Sequence, residues 1–261
     1  MKGIECTAYG LSAEKIRAHL KNTALPILLF DEISSTSDAA REYARKNPGK
    51  TAVFIAEKQT AGRGRRGRSF SSPAGSGVYM SLLVYPTHAA SDGVLLTTGA
   101  AVAMCRAVED AASLSPEIKW VNDLKLGGKK LCGILTEGEI DPESGAFAYA
   151  VIGAGINVRG VPPEVADIAT ALDLHTDGPT DRNLLCAKMI ARILESLTED
   201  RAAQMREYRR RCPVAGKEIT VLRGDERYFA TVLSIEKDGS LRILREGRET
   251  LLSSGEISIR E

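Results

Sequence analysis

The stretch Gly62-Arg63-Gly64-Arg65-Arg66-Gly67-Arg68 contains only arginine and glycine. Arginine carries a fixed positive charge and a planar set of donors that matches the oxygens of phosphates and carboxylates. Glycine allows the backbone to approach a ligand closely and to adopt positive φ angles. Four arginines this close together repel one another unless an anion lies among them. The stretch therefore predicts an anion-binding loop, and the rest of the chain must show which anion it binds.

Two common nucleotide-binding folds do not fit this loop. Its glycines match the pattern G-x-G-x-x-G, but that fingerprint needs a helix at the last glycine and an acid about 20 residues further on. The residues that follow, 68–77, include a proline and two glycines and cannot form a helix, and no Asp or Glu occurs between Glu57 and Asp92. No Gly-Lys-Ser/Thr closes the segment either, which excludes a Walker loop.

The surrounding sequence predicts an α+β fold. Strand patterns flank the loop at Thr51–Glu57 and Val78–Tyr85, and the longest helix pattern covers Asp92–Leu114. From 117 to 157, short strands alternate with turn residues such as Gly127-Gly128, which predicts an antiparallel meander. Amphipathic helices are predicted over 182–197 and 199–211.

After Pro213 the helical pattern gives way to short strands. About 45 residues of this kind suggest a small SH3-like β-barrel, close to the lower size limit for independent folding. The predicted architecture is thus a mixed, largely antiparallel sheet packed with helices, followed by the barrel. The predicted domains are residues 1–212 and 213–261.

Composition excludes several classes of protein. The net charge is only +1, whereas nucleic-acid-binding domains usually carry an excess of positive charge. An Arg-Gly module that clamps nucleic acid is therefore the less favoured alternative. Five cysteines without a C-x-x-C pair argue against a disulfide framework or a zinc site. With no secretion signal and no membrane-spanning apolar run, we expect a reduced, cytoplasmic protein.

Three further features could be structural or functional. The polar run Ser34–Asp38 precedes a helix and could cap it, although a single cap does not need several hydroxyls. Lys119 and Lys130 could be ordinary surface lysines. Gly133 interrupts an apolar strand, which suggests that another group approaches the backbone there and raises the interest of neighbouring Lys130.

Five motifs, in order, resemble those of the biotin–protein ligases. Ser35-Thr36-Ser37 stands where that family has Ser-Thr-Asn, and Lys119-Trp120-Val121-Asn122-Asp123 is similar to its Lys-Trp-Pro-Asn-Asp motif. The other three are the arginine loop with the preceding Glu57–Ala61, the segment Lys129–Glu137, and Gly153–Asn157. The resemblance runs from about residue 30 to the C-terminal strands, including Gly255–Ser258.

This resemblance implies a class II synthetase-like catalytic domain and a two-step reaction. The carboxylate of biotin attacks the α-phosphate of ATP, and a lysine of an acceptor such as a biotin carboxyl carrier protein then takes the biotinyl group. Biotin, ATP and Mg²⁺ are the implied substrates and cofactor, and a homodimer is a possible assembly. The arginine loop would stabilise negative charge in the transition state and close over the reactive biotinyl-5′-AMP.

The resemblance also assigns roles by position. The implied catalytic residues are Lys130, Arg63, Arg65 and Lys119. The implied biotin-binding residues are Ser35, Thr36, Ser37, Gln59, Arg63, Gly64, Arg65, Lys130, Gly133 and Gly155. The implied nucleotide-binding residues are Arg66, Arg68, Trp120, Asn122, Asp123 and Asn157, with Asp123 also a ligand of Mg²⁺.

Three departures from the family pattern qualify these expectations. Val121 replaces a proline, and Ser37 replaces an asparagine that bonds the ligand. The segment before Ser35 holds one short helix and a strand, where transcription-repressing members carry a DNA-binding domain, so we expect catalysis without operator binding. A lipoate– or octanoate–protein ligase is the enzymatic alternative, and the arginine-glycine loop favours biotin over it.

Overall fold

Seven strands form one mixed sheet in the computed structural model, which describes residues 3–21, 24–86, 93–223 and 226–259. They are β1 (Ile27–Ile33), β2 (Ala52–Gln59), β3 (Gly77–Val84), β4 (Glu117–Lys119), β5 (Asp123–Leu126), β6 (Lys129–Ile140) and β7 (Phe147–Asn157). Their order is β1-β2-β3-β7-β6-β5-β4, and only β1 and β2 run parallel. The predicted mixed, largely antiparallel sheet is confirmed.

Helices cover both faces of this sheet. They are α1 (Ala13–Ala18), α2 (Thr36–Lys46), α3 (Gly93–Ala112), α4 (Arg182–Ser196) and α5 (Arg201–Arg211). Alternate residues of β2 separate the two faces: Val53 and Ile55 join the main core, whereas Ala52 and Phe54 pack with α2. This alternation is the two-residue period of a strand that is buried on both sides.

The described helix boundaries lie within three residues of those predicted. Helix α3 begins at Gly93, and Asp92, its predicted first residue, lies outside the described residues. Helix α2 begins at Thr36, three residues before the predicted start at Ala39. The earlier start places Thr36 and Ser37 in the first turn. Across the described residues, no helix combines the length and the apolar character that crossing a membrane requires.

A second sheet contains five antiparallel strands. They are β8 (Glu218–Arg223), β9 (Glu226–Ile235), β10 (Leu241–Arg245), β11 (Arg248–Leu252) and β12 (Glu256–Ile259), in the order β11-β10-β9-β8-β12. This confirms the predicted C-terminal unit, although the pairing of the described strands is an open series rather than a closed barrel. Its apolar face belongs to the same core as Trp120 and Tyr208. The domain boundary after residue 212 stays a prediction.

Candidate active site

A cavity of about 380 Å³ lies where the first sheet, the arginine loop and the second sheet meet. The predicted site residues that line it are Ser35, Thr36, Ser37, Gln59, Arg63, Gly64, Arg65, Arg68, Lys119, Trp120, Asn122, Asp123, Lys130, Gly133 and Gly155. Two predicted residues, Arg66 and Asn157, lie outside this lining. The second sheet contributes the segment Gly255–Ser258.

The arginine loop folds back on itself as an irregular hairpin. The N–H of Phe70 donates to the carbonyl of Gly62 at 2.9 Å, and the N–H of Gly64 donates to the carbonyl of Arg68 at 2.7 Å. At the tip, Arg66 and Gly67 have φ angles of 56° and 71°, which is the left-handed region. A Cβ at Gly62 would lie 2.5 Å from the carbonyl oxygen of Phe70, so the hairpin needs glycine at its base.

Each arginine of the loop has a partner within the protein. Arg63 lies 3.1 Å from a carboxylate oxygen of Asp38 and 3.2 Å from one of Glu137. The Nε of Arg63 is buried without a hydrogen-bond partner. The N–H of Arg65 donates to Oδ1 of Asn122 at 2.9 Å. Burial, followed by the charge of Arg66, lowers the pKa of Arg65 from its ordinary value.

The other two arginines bond to the second sheet. Arg68 pairs with Glu256 at 2.6 Å, and Arg66 donates to the carbonyl of Leu222 at 3.0 Å. Glu256 was not among the predicted site residues, and its partner Arg68 lies 188 positions away in the chain. Protein carboxylates and carbonyls therefore supply part of the negative charge that the loop requires.

The serine–threonine run does not cap helix α2 with a side chain. Ser35 occupies the N-cap position, but its hydroxyl makes no capping hydrogen bond. The Thr36 N–H and hydroxyl both donate to Oε1 of Gln59, at 2.9 and 3.1 Å. The hydroxyls of Thr36 and Ser37 also contact Ser81 on β3. The run is thus part of a hydrogen-bonded wall of the cavity, and Ser81 was not among the predicted site residues.

Lys130 and Asp123 form an ion pair of 2.9 Å on adjacent strands β6 and β5. The neighbouring Asn122 donates from its side chain to the carbonyl of Ile134 at 2.7 Å, which fixes the orientation of its amide. The Trp120 indole N–H donates to the carbonyl of Gly239 at 2.9 Å. The Lys-Trp-Val-Asn-Asp motif is therefore held by both sheets.

The glycine in β6 does mark a close approach, and the approaching group is Phe70. A Cβ on Gly155 would lie 2.5 Å from the Phe70 ring, and one on Gly133 would lie 3.2 Å from it. Gly133 and Gly155 are cross-strand partners of β6 and β7. Phe70 was not predicted, although it is the only aromatic residue between Phe54 and Tyr79.

Two predicted site residues remain: Asp123, the predicted ligand of Mg²⁺, and Asn157, which lies outside the cavity lining. Among the described residues, no group of three or more His, Cys, Asp or Glu side chains could hold a metal ion. Asp123 pairs with Lys130, and Glu256 is a second carboxylate in the cavity lining. Asn157 donates to the carbonyl of Thr170 at 3.0 Å and so braces the segment that packs beside Lys130.

Comparison with known proteins supports the resemblance. Residues 29–157 match the Biotin/lipoate A/B protein ligase family. The bifunctional ligase/repressor BirA of Bacillus subtilis is 39% identical over 178 residues, which is 66% of this chain and 54% of that protein. This chain therefore spans about half the length of that relative.

Two further proteins match over more of their length. The biotin–[acetyl-CoA-carboxylase] ligase of Mycobacterium tuberculosis is 31% identical over 217 residues, which is 78% of this chain and 77% of that protein. The structure of biotin protein ligase from Aquifex aeolicus in complex with biotin and ATP has a TM-score of 0.70 and 26% identity, covering 90% of this chain and 98% of that one.

Proposed function

The chain belongs to the biotin–protein ligase family, and we propose that it is an ATP-dependent ligase that converts biotin to biotinyl-5′-AMP. In the second step it transfers the biotinyl group to a lysine of an acceptor protein, such as a biotin carboxyl carrier domain. One observation carries this proposal: a single cavity brings together the hydroxyl wall of Ser35–Ser37, the arginine loop and the Lys130–Asp123 pair. These groups match a polar head group, a phosphate and a reacting carboxylate.

Lys130 would bring the two reacting anions together. Attack by a carboxylate on the α-phosphorus of ATP forms a carboxyl–phosphate bond and releases pyrophosphate, so negative charge accumulates on neighbouring oxygens. A lysine ammonium is a compact cation with three donors. Its partner Asp123 is 19% exposed at the side chain, and Lys130 is 42% exposed, so the ammonium can reach a substrate without leaving its ion pair.

The arginine loop would stabilise the same charge. Arg63 and Arg65 line the cavity, and Arg65 is held by Asn122 in a position fixed before substrate arrives. Preorganised cations of this kind are a large source of rate acceleration. In the second step the acceptor amine attacks the biotinyl carbonyl, a C–N bond forms and AMP leaves. Phe70 and the loop would keep water from the mixed anhydride.

The proposed nucleotide site is formed by Arg68, Trp120, Asn122 and Asp123, with Lys119 beside them. A nucleotide role for Arg66 and Asn157 stays a prediction. Mg²⁺ usually takes one or two carboxylates together with substrate phosphates, and Asp123 fits that limited role. When bound there, the ion would neutralise phosphate charge, and Asp123 would supply one of its oxygen ligands.

Replacing Lys130 tests the proposal directly. We expect Lys130→Ala to lower biotin-dependent ATP–pyrophosphate exchange by about 10²- to 10³-fold, because a charge aimed at the reacting oxygens is lost. Lys129→Ala is the matched control: it removes the adjacent lysine of β6, which donates instead to the carbonyl of Ala166. Normal exchange in Lys130→Ala would contradict the assignment.

Substrate choice and partners need separate measurements. Radiolabelled biotin should be transferred to an apo carrier domain, and radiolabelled lipoate or octanoate should not. The absence of operator binding stays a prediction, and a specific, competable gel shift with carboxylase-operon DNA would contradict it. A homodimer also stays a prediction. We propose a cytoplasmic location, supported by the five cysteines, all of which are free thiols.

A further inference from the structure

Ser81, which was not among the predicted site residues, has a buried hydroxyl that contacts the hydroxyl wall of Ser35–Ser37. Ser81 lies in the middle of β3 and has no exposed surface. Its Oγ is 2.8 Å from the hydroxyl of Thr36 and 3.0 Å from the hydroxyl of Ser37. A buried hydroxyl is costly unless it is hydrogen-bonded, so these contacts explain how serine is accommodated among apolar strand residues. All three residues border the cavity.

The direction of these hydrogen bonds follows from one fixed donor. The backbone N–H of Thr36 can only donate, so the Gln59 atom 2.9 Å away must be the amide oxygen. The Thr36 hydroxyl, 3.1 Å from the same oxygen, therefore donates to it. Because a hydroxyl carries a single proton, Ser81 must donate to Thr36. By the same reasoning, Ser37 must donate to Ser81.

We propose that Ser81 is a positioning residue that fixes the hydrogen-bond polarity of this wall. Ser37 donates to Ser81, Ser81 donates to Thr36, and Thr36 donates to Gln59. Because their protons are used in this series, the hydroxyls of Thr36 and Ser37 can only accept hydrogen bonds from a ligand. The wall therefore accepts hydrogen bonds from ring N–H groups and rejects a ring oxygen at the same place. The inference rests on the proposed function, in which the cyclic urea of biotin supplies the N–H groups.

The test compares biotin with the two cyclic-carbamate analogues in which one ring N–H is replaced by oxygen. In the wild-type enzyme, kcat/KM for ATP–pyrophosphate exchange should be about 10²-fold lower for one of these analogues than for biotin, because an acceptor then faces an acceptor. In Ser81→Ala the Ser37 proton can turn towards the ligand. The ratio of kcat/KM for biotin to kcat/KM for that analogue should then fall about 10-fold.

Two further readouts separate positioning from general damage. In Ser81→Ala, KM for biotin should rise, whereas kcat and KM for ATP should stay at wild-type values. Ser81→Cys keeps the size of the side chain and a weak donor, so its preference should lie between wild type and Ser81→Ala. Thr98→Ala is the matched control, because it removes another buried hydroxyl, which donates to Leu95 in α3 outside the cavity lining.

The outcomes distinguish the two proposals. If the wild-type chain does not activate biotin, the proposed function is wrong and the role of Ser81 falls with it. If it activates biotin but both Ser81 variants keep the wild-type preference, only the role of Ser81 is wrong. An equal loss of preference in Thr98→Ala would also contradict it. Should Ser81→Ala fail to fold, Ser81→Cys decides the question by the same comparison.

Discussion

At the scale of single residues, Arg65 and Arg66 are adjacent cations with different surroundings. Arg65 lines the cavity and bonds to Asn122, whereas Arg66 turns away through a positive φ and bonds to the second sheet. Burial lowers the pKa of Arg65, yet arginine remains charged at any pH at which the protein is folded. The chain thus places a partly desolvated positive charge at the cavity, where electrostatic interactions are stronger than in water.

This difference predicts unequal effects of removing the two charges. Arg65→Ala should release biotinyl-5′-AMP about 10-fold faster or more, because a charge-assisted contact to the intermediate is lost. Arg66→Ala removes the same charge from the same loop but outside the cavity, so its effect should be much smaller. The measurement is the dissociation rate of radiolabelled biotinyl-5′-AMP. Equal retention in wild type and Arg65→Ala would contradict the proposed role.

At the scale of elements, the facing glycines of β6 and β7 create room for the ring of Phe70. Gly155 is the tighter of the two, since a Cβ there would overlap the ring, whereas at Gly133 the ring would need to move only slightly. The ring also makes an edge contact with Tyr79, with centroids 6.3 Å apart. Strands and loop are therefore fitted to each other at this point.

Substituting the glycines tests that fit. Gly155→Ala should raise KM for biotin more than Gly133→Ala, because it displaces Phe70 and the loop attached to it; overpacking of this kind typically costs about 1–3 kcal/mol. Adding Phe70→Ala to Gly155→Ala should reverse part of the loss, since the clash is removed. A double variant no better than Gly155→Ala would show that the glycine acts through some other contact.

The sequence predicted elements better than contacts between them. Strand alternation and turn residues were enough for the two sheets, and motif order placed most of the cavity lining. Ser81 was missed, and Glu137 and Glu256 were quoted only as parts of motif segments, because the contact that each makes at the site is with a residue far away in the chain. The start of α2 was misjudged because serine and threonine are read as caps, whereas here tertiary hydrogen bonds hold them inside the helix.

At the scale of the whole molecule, one buried ion pair joins segments that are distant in sequence. Glu57 on β2 accepts hydrogen bonds from Arg182 of α4 at 2.8 and 2.9 Å, from Thr7 at 2.6 Å and from the N–H of Gly75 at 3.2 Å. Burial raises the pKa of Glu57, but the bonds from Arg182 and Thr7 outweigh it, and the net pKa lies below 4.5.

A lowered carboxylate pKa makes stability depend on pH in a defined direction. The contribution of Glu57 is fully present above pH 4.5, its ordinary pKa, and is lost as the pH falls through its lower folded value. Glu57→Gln should therefore lower the free energy of unfolding at pH 7 by roughly 3–5 kcal/mol, because the buried charge of Arg182 then lacks its counter-ion. Below pH 4.5, the free energy of unfolding should also fall less steeply with decreasing pH in Glu57→Gln than in the wild type.

Chemical denaturation at several pH values measures both effects. Glu42→Gln is the control, because Glu42 pairs with Lys46 on the exposed side of α2 and surface pairs contribute little. If the two variants were equally stable at neutral pH, the buried pair would not join these segments as described.

Gly239, in the turn between β9 and β10, is one of the points at which the second unit contacts the Lys119–Asp123 motif. Its carbonyl accepts the Trp120 indole N–H, and its φ of 84° suits the turn before β10. A Cβ there would lie 2.9 Å from Val94 and 3.3 Å from Thr98, both on α3. Gly247, in the turn between β10 and β11, also has a positive φ of 76° but has open space around it.

Substituting these two glycines separates the effect of backbone strain from the effect of the contacts that the turn at Gly239 makes with α3 and Trp120. Gly239→Ala and Gly247→Ala share the cost of a left-handed alanine, about 1 kcal/mol. Only Gly239→Ala also pushes the turn away from α3 and from Trp120, so it should lower Tm further and raise KM for ATP. Thermal unfolding and exchange kinetics of both variants provide the measurement. Equal Tm values with unchanged KM for ATP would mean that the second sheet does not influence the nucleotide site through this contact.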